Sequence, residues 1–170
     1  MEDIKKILLE KVLLFDSDTL APETEKLLRQ VRRDKTEKPV IYLSSGTSSI
    51  IAGSRKTETV VRSYIEDNQP DAELVLVGCT GPANFEPLVS VQLPGKNKLF
   101  FRNVTEEKVE PLLNGVFHND IHKDDLAGQH GARGFEMWPG IPFMDELPFF
   151  ALQKRSVLGN CGCYDPENIY

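Results

Sequence analysis

The sequence predicts an α/β domain of α+β character: a mixed sheet flanked by helices, with a helical extension before it and an extended arm after it. Three observations carry this. Two short apolar runs, VIYLS (Val40 to Ser44) and AELVLVG (Ala72 to Gly78), are separated by one helical pattern, which implies a crossover between parallel strands. Two further runs, PLVSVQL and NKLFFRNV, are joined by the turn sequence PGKN and read as an antiparallel hairpin. A segment with helical spacing, TEEKVEPLLNG, closes the set.

The elements follow in order. Ile4, Ile7, Leu8, Leu9, Val12 and Leu13 recur at helical spacing, so a first helix spans about Asp3 to Phe15. Pro22 at a first helical position opens a second, PETEKLLRQVRRD, with acids early and bases late to match the helix dipole. Residues 1–38 thus form a helical extension. VIYLS is β-branched and aromatic, hence a strand. Ile50 to Glu66 reads as a helix with Val60, Val61, Tyr64 and Ile65 on one face, stopped by Asn68, Gln69 and Pro70. AELVLVG is a buried strand, the hairpin follows, and Thr105 stands where an N-cap would be. The order β-α-β-β-β-α over residues 39–115 fits a thioredoxin-like sheet. Residues 116–170 change character. They are polar, with all three histidines, and then rich in glycine, proline and aromatics, which reads as an arm rather than a second domain.

Composition narrows the function. The chain has 170 residues, 40% hydrophobic and 27% charged, which suits one domain with an ordinary core. A formal net charge of −6, with no basic block beyond VRRDK, argues against a nucleic-acid surface. No run of about 18 apolar residues is present, so no membrane span is expected. The N-terminus lacks a secretory cleavage pattern, and three cysteines do not make a disulfide framework. A cytoplasmic protein, or the cytoplasmic side of a larger complex, is expected.

Two loops carry the chemistry. The first, LSSGTSSIIAGS (Leu43 to Ser54), holds five serines, a threonine and two glycines between strand and helix. The second, CTGPANFEP (Cys79 to Pro87), follows the second strand. The segment from about Pro39 to Tyr170 resembles the start of the NADH-binding flavoprotein subunit of complex I-like enzymes. The branch in question includes the diaphorase subunits of NAD-dependent hydrogenases and formate dehydrogenases. The most specific match is the tail, PFFALQKRSVLGNCGCYDPENIY, which looks like the family's lead-in to its FMN- and NADH-binding domain. In that family a thioredoxin-like 2Fe-2S domain comes first. Its first loop carries a C-x4-C pair around G-T, and its second a C-x3-C pair after V-G. Four thiolates enclose the cluster because soft sulfur suits iron. Here Gly46, Thr47, Ala52, Gly53, Val77, Gly78 and Cys79 are retained, whereas the other three ligand positions read Ser44, Ser49 and Ala83. With one thiol of four, the resemblance implies a degenerate cluster site. No 2Fe-2S cluster is expected, and the two serines are expected to hydrogen-bond within the loop.

The resemblance implies FMN, NAD and iron–sulfur centres for a full-length parent or its complex, with partner subunits of a multi-subunit oxidoreductase. It also implies that the chain continues, since DPENIY opens a helix with Asp165, Pro166 and Glu167 and then stops. The expected role of the segment itself is docking, without catalysis. Two alternatives stand beside it: a stand-alone interaction module with a thioredoxin-like core, and a thiol switch through Cys79. The serine-rich loop lacks G-x-x-x-x-G-K-S/T and G-x-G-x-x-G, so a capped turn is preferred over an anion site. Cys79 has no C-x-x-C partner, and C-G-C at Cys161 and Cys163 is a weak signal for metal or oxidation. His118, His122 and His130 sit in a polar stretch and read as solvated rather than as ligands. The aromatic stretch FEMWPGIPF is expected to pack on this domain, on the next one, or on a partner.

Overall fold

The computed structural model describes residues 21–31, 36–69, 71–131, 134–154 and 161–162. The expected first helix, the C-terminal part of the VRRDK stretch, Cys163 and the DPENIY helix start lie outside these residues. In chain order the elements are α1 (Pro22–Val31), β1 (Val40–Ser44), α2 (Thr47–Ile51), α3 (Ser54–Asn68), β2 (Glu73–Val77), β3 (Val89–Gln92), β4 (Lys98–Phe101), α4 (Glu106–Phe117), β5 (Leu126–His130) and α5 (Pro148–Ala151). Two 3-10 turns, Ala83–Phe85 and Met144–Glu146, punctuate the second loop and the arm.

The strands form one mixed sheet in the order β2-β1-β3-β4-β5. β1 and β2 are parallel, with Val40 opposite Glu73 and Ser44 opposite Val77. β1 with β3, β3 with β4 and β4 with β5 are antiparallel. Alternation along each strand sorts residues between two faces. Ile41 and Leu43 join Val89, Val91, Leu99 and Phe101 in the main core, closed by Val61 and Tyr64 of α3 and by Val109, Leu113 and Val116 of α4. Val40 and Tyr42 pack with Val75 and Val77 in a separate cluster. Tyr42 is buried beside Lys98, whose ammonium lies 3.6 Å from the ring centroid, and its hydroxyl donates to Gln92. The result is a thioredoxin-like α/β architecture: one parallel crossover, then an antiparallel hairpin.

Two local features differ from the sequence reading. The single helix expected from Ile50 to Glu66 is two helices, and Gly53 between them has φ +104°. That left-handed conformation suits glycine and breaks the helix. The expected Thr105 N-cap is in position, but its hydroxyl does not cap the backbone; it hydrogen-bonds Glu107 in the first turn and lowers that residue's pKa.

The larger difference concerns the arm. Leu126–His130 adds a fifth strand to β4, and Trp138 and Ile141 enter the main core. Of the destinations expected for the aromatic stretch, its own domain is the one observed for these two residues. Gln129 holds the arrangement together. Its side-chain amide donates to the carbonyls of Trp138 (3.0 Å) and Ile141 (2.7 Å) and accepts from the Trp138 N–H (2.9 Å) and Asn97 Nδ2 (3.0 Å). Trp138 Nε1 in turn donates to the Asn97 carbonyl at 2.8 Å. LAGQH carries no β-branched residue and has a central glycine, so no strand pattern announces it; pairing with β4 makes it one.

Candidate functional site

The site is built where β1 and β2 end side by side. Their parallel pairing brings the loop after Ser44 next to the loop after Val77. The Ser45 N–H donates to the Val77 carbonyl at 2.9 Å, and the Ser44 N–H donates to the Leu88 carbonyl at 3.0 Å, so both loops are laced to one point. Gly46, the residue before α2, sits against the second loop: a Cβ added there would lie in van der Waals contact with the Cβ of Cys79, at 3.7 Å.

Ser44 and Ser49 are both fully buried. Their hydroxyl oxygens lie 2.7 Å apart, and Ser49 Oγ also donates to the Ser44 carbonyl at 2.7 Å. The bonding expected within the loop is present, and it extends across to the second loop. Ser44 Oγ hydrogen-bonds the Glu86 carboxyl and meets the Leu88 carbonyl at 3.1 Å, and it accepts from the Leu88 N–H at 2.9 Å. Glu86 Oε2 accepts from the same N–H at 3.0 Å and is itself buried. Glu86 is the residue that sequence reasoning missed. The signal was present as a lone acid in the apolar context NFEPLV, where a charged residue bordering a buried strand needs partners.

Cys79 is half-buried. Burial pushes its thiol pKa up, and a hydrogen bond and the charge of neighbouring Glu86 act in the same direction. The Gly81 N–H, donating to Sγ at 3.3 Å, and the Ser48 hydroxyl oppose this without reversing it. The net effect is an unactivated thiol. Its alkylation by iodoacetamide at neutral pH is expected to be slower than that of a free cysteine, with a pH midpoint above the free-thiol value. A midpoint below that value would show an activated thiol.

The structure therefore draws Ser44, Ser49 and Cys79 together around Glu86. Ala83 stands apart, exposed at the start of its 3-10 turn. As a donor set for a 2Fe-2S cluster these residues do not fit. Each iron requires two soft ligands, and the positions supply one thiol, two hydroxyls already engaged in hydrogen bonds, and a methyl group. The histidines do not assemble either. His118 Nδ1 is 2.9 Å from its own helix carbonyl at Asn114, and His130 lies 3.8 Å from the exposed Asp145. Among the described residues, no group of three or more His, Cys, Asp and Glu is placed to hold a metal ion. No helix among them is long and apolar enough to cross a membrane.

Sheet order, register and the paired loops at the ends of β1 and β2 define a domain of the thioredoxin-like class. No family model and no curated protein matches the chain. Among solved structures it is similar to a thioredoxin-like 2Fe-2S ferredoxin from Aquifex aeolicus, at 14% identity and a TM-score of 0.45, covering 59% of this chain and 100% of that one. A second structure of the wild-type ferredoxin gives 15% identity and 0.44, over 54% of this chain and 96% of that one. A cysteine-to-serine variant of it gives 14% and 0.43, over 52% and 95%.

Proposed function

We propose that this is a redox-derived docking domain: a thioredoxin-like 2Fe-2S domain that has given up its cluster and retains the fold as an interaction module. In this reading it belongs to the flavoprotein subunit of an NADH-oxidising complex of the complex I-like type, on the cytoplasmic side. FMN, NAD and the working iron–sulfur centres belong to the rest of that subunit or to its partners. The degenerate ligand positions are Ser44, Ser49, Cys79 and Ala83.

The observation that carries the reading is the buried Ser44–Ser49–Glu86 network. Hydroxyls and a carboxyl fill the space between the two loops and satisfy one another, so the loops need no metal to hold their shape. Ile50 and Ile51, 40% and 82% exposed on α2 beside this network, support a docking role, because they present apolar surface at the same end of the sheet.

Iron and acid-labile sulfide, measured on full chain purified without oxygen, together with a visible spectrum, test the reading. The expected sample is colourless and free of iron. A brown sample with about two irons per chain would overturn it, since that stoichiometry is the cluster's own.

A further inference from the structure

Lys98 is a buried cation in the sheet, and the tail meets it. Leu99 and Phe101 of β4 face the main core, so alternation along the strand turns Lys98 to the opposite face. There its ammonium lies 3.6 Å from the Tyr42 ring centroid and 5.6 Å from that of Phe100. A buried ammonium requires acceptors and is favoured by ring faces. The Gly162 carbonyl is one such acceptor, 3.1 Å from Nζ. Gly162 is buried against the Thr80 side chain of the second loop: a Cβ added to it would come within 2.6 Å of Thr80 Cγ2. Thr80 is itself buried and β-branched, so its methyl group has little room to yield. Gly162 also has φ +83°, a conformation that suits glycine. Two separate conditions, one steric and one conformational, thus select glycine at this seat.

We propose that Cys161 and Gly162 form a releasable strap, pegged to Lys98 and fitted against Thr80, that closes the arm back onto the sheet. The arm is already fastened near its start by β5 and Gln129. Gly162 fastens it a second time, to β4 and to the second loop. The strap is releasable because its hold is local, a hydrogen bond and a close contact. When Gly162 lifts, Lys98 keeps its place over the Tyr42 ring, and Trp138 keeps its place in the main core. Segments held by local contacts of this kind open at free energies well below that of global unfolding. Lifting the strap uncovers the Thr80 side chain, and the second loop is then open at that point. None of Thr80, Lys98 and Gly162 carries the proposed function, so the strap and that reading stand or fall separately.

The test uses the full, reduced chain and follows alkylation by iodoacetamide at each cysteine by tandem mass spectrometry. Circular dichroism and Trp138 emission serve as folding controls. Cys161, next to Gly162 and half-buried, is the reporter. It is expected to react about tenfold more slowly than in the urea-unfolded chain, the factor that a hydrogen bond to a charged group supplies. Lys98→Met removes the peg, and Gly162→Ala sets a methyl group against Thr80. Each is expected to restore most of that difference while helix content and Trp138 emission hold. If Lys98→Met does not fold, Gly162→Ala, which leaves Lys98 on its ring, decides alone. A wild-type Cys161 that reacts as fast as in the unfolded chain would overturn the strap. So would folded variants in which its rate is unchanged. A rate that rises only together with Trp138 exposure would also overturn it, since the segment would then belong to the cooperative core.

Discussion

Ser44→Ala is expected to destabilise the domain by about 3 kcal/mol, read as a lower urea midpoint at unchanged slope. The hydroxyl is fully buried and contacts Ser49, Glu86, the Leu88 carbonyl and the Leu88 N–H. Removing it takes a hydrogen-bond partner from the buried Glu86 carboxyl, which keeps the Leu88 N–H, and from the buried Ser49 hydroxyl, and a buried polar group that loses a partner costs more than the bond itself contributes. The second half of this prediction is a coupling. Ser44→Ala combined with Glu86→Leu is expected to depart from the sum of the two single changes by at least about 1 kcal/mol, because the two side chains bond each other and share the Leu88 N–H. Additive costs would show that the two side chains are independent. That would remove the network from the argument that these loops are self-sufficient.

Gln129→Leu is expected to cost about 4 kcal/mol and to free the arm from the sheet. Leucine has nearly the same volume but leaves two carbonyls, an amide N–H and Asn97 Nδ2 without the partner that Gln129 provides. The readout is direct, because Trp138 is the sole tryptophan of the chain. It is buried and flanked by Lys96, whose ammonium lies 4.1 Å from the ring centroid. Its emission is expected to shift to the red and become accessible to acrylamide at denaturant concentrations where the helices still give their circular dichroism. Tryptophan exposure that coincides with loss of helix would instead make the arm an inseparable part of the cooperative core.

These two predictions mark where the sequence was readable. β1, β2, β3 and β4 announce themselves because each is a short apolar, β-branched or aromatic run between turn residues. The crossover and the hairpin follow from the lengths of chain between them. The residue identities in the two loops were equally plain, and under the proposed reading Ser44, Ser49 and Ala83 stand where the resembled pattern has sulfur. The bonding of the two serines was legible in kind, since buried hydroxyls seek partners. Its reach across to Glu86 and Leu88 was not.

What the sequence by itself determined is local: strands and helices from periodicity, and a shortage of soft ligands from residue identity. What only the tertiary structure decided is non-local. β5 is a strand because β4 offers an open edge, although its own residues lack strand propensity. Glu86 is a buried hydrogen-bonding partner because the parallel pairing of β1 with β2 carries the second loop onto the first. The Gly162 carbonyl reaches Lys98 in the sheet because Gly162, free of a Cβ, can lie against the Thr80 side chain. Each case depends on which distant segment arrives alongside. Periodicity does not encode that, because it is set by the packing of the whole sheet.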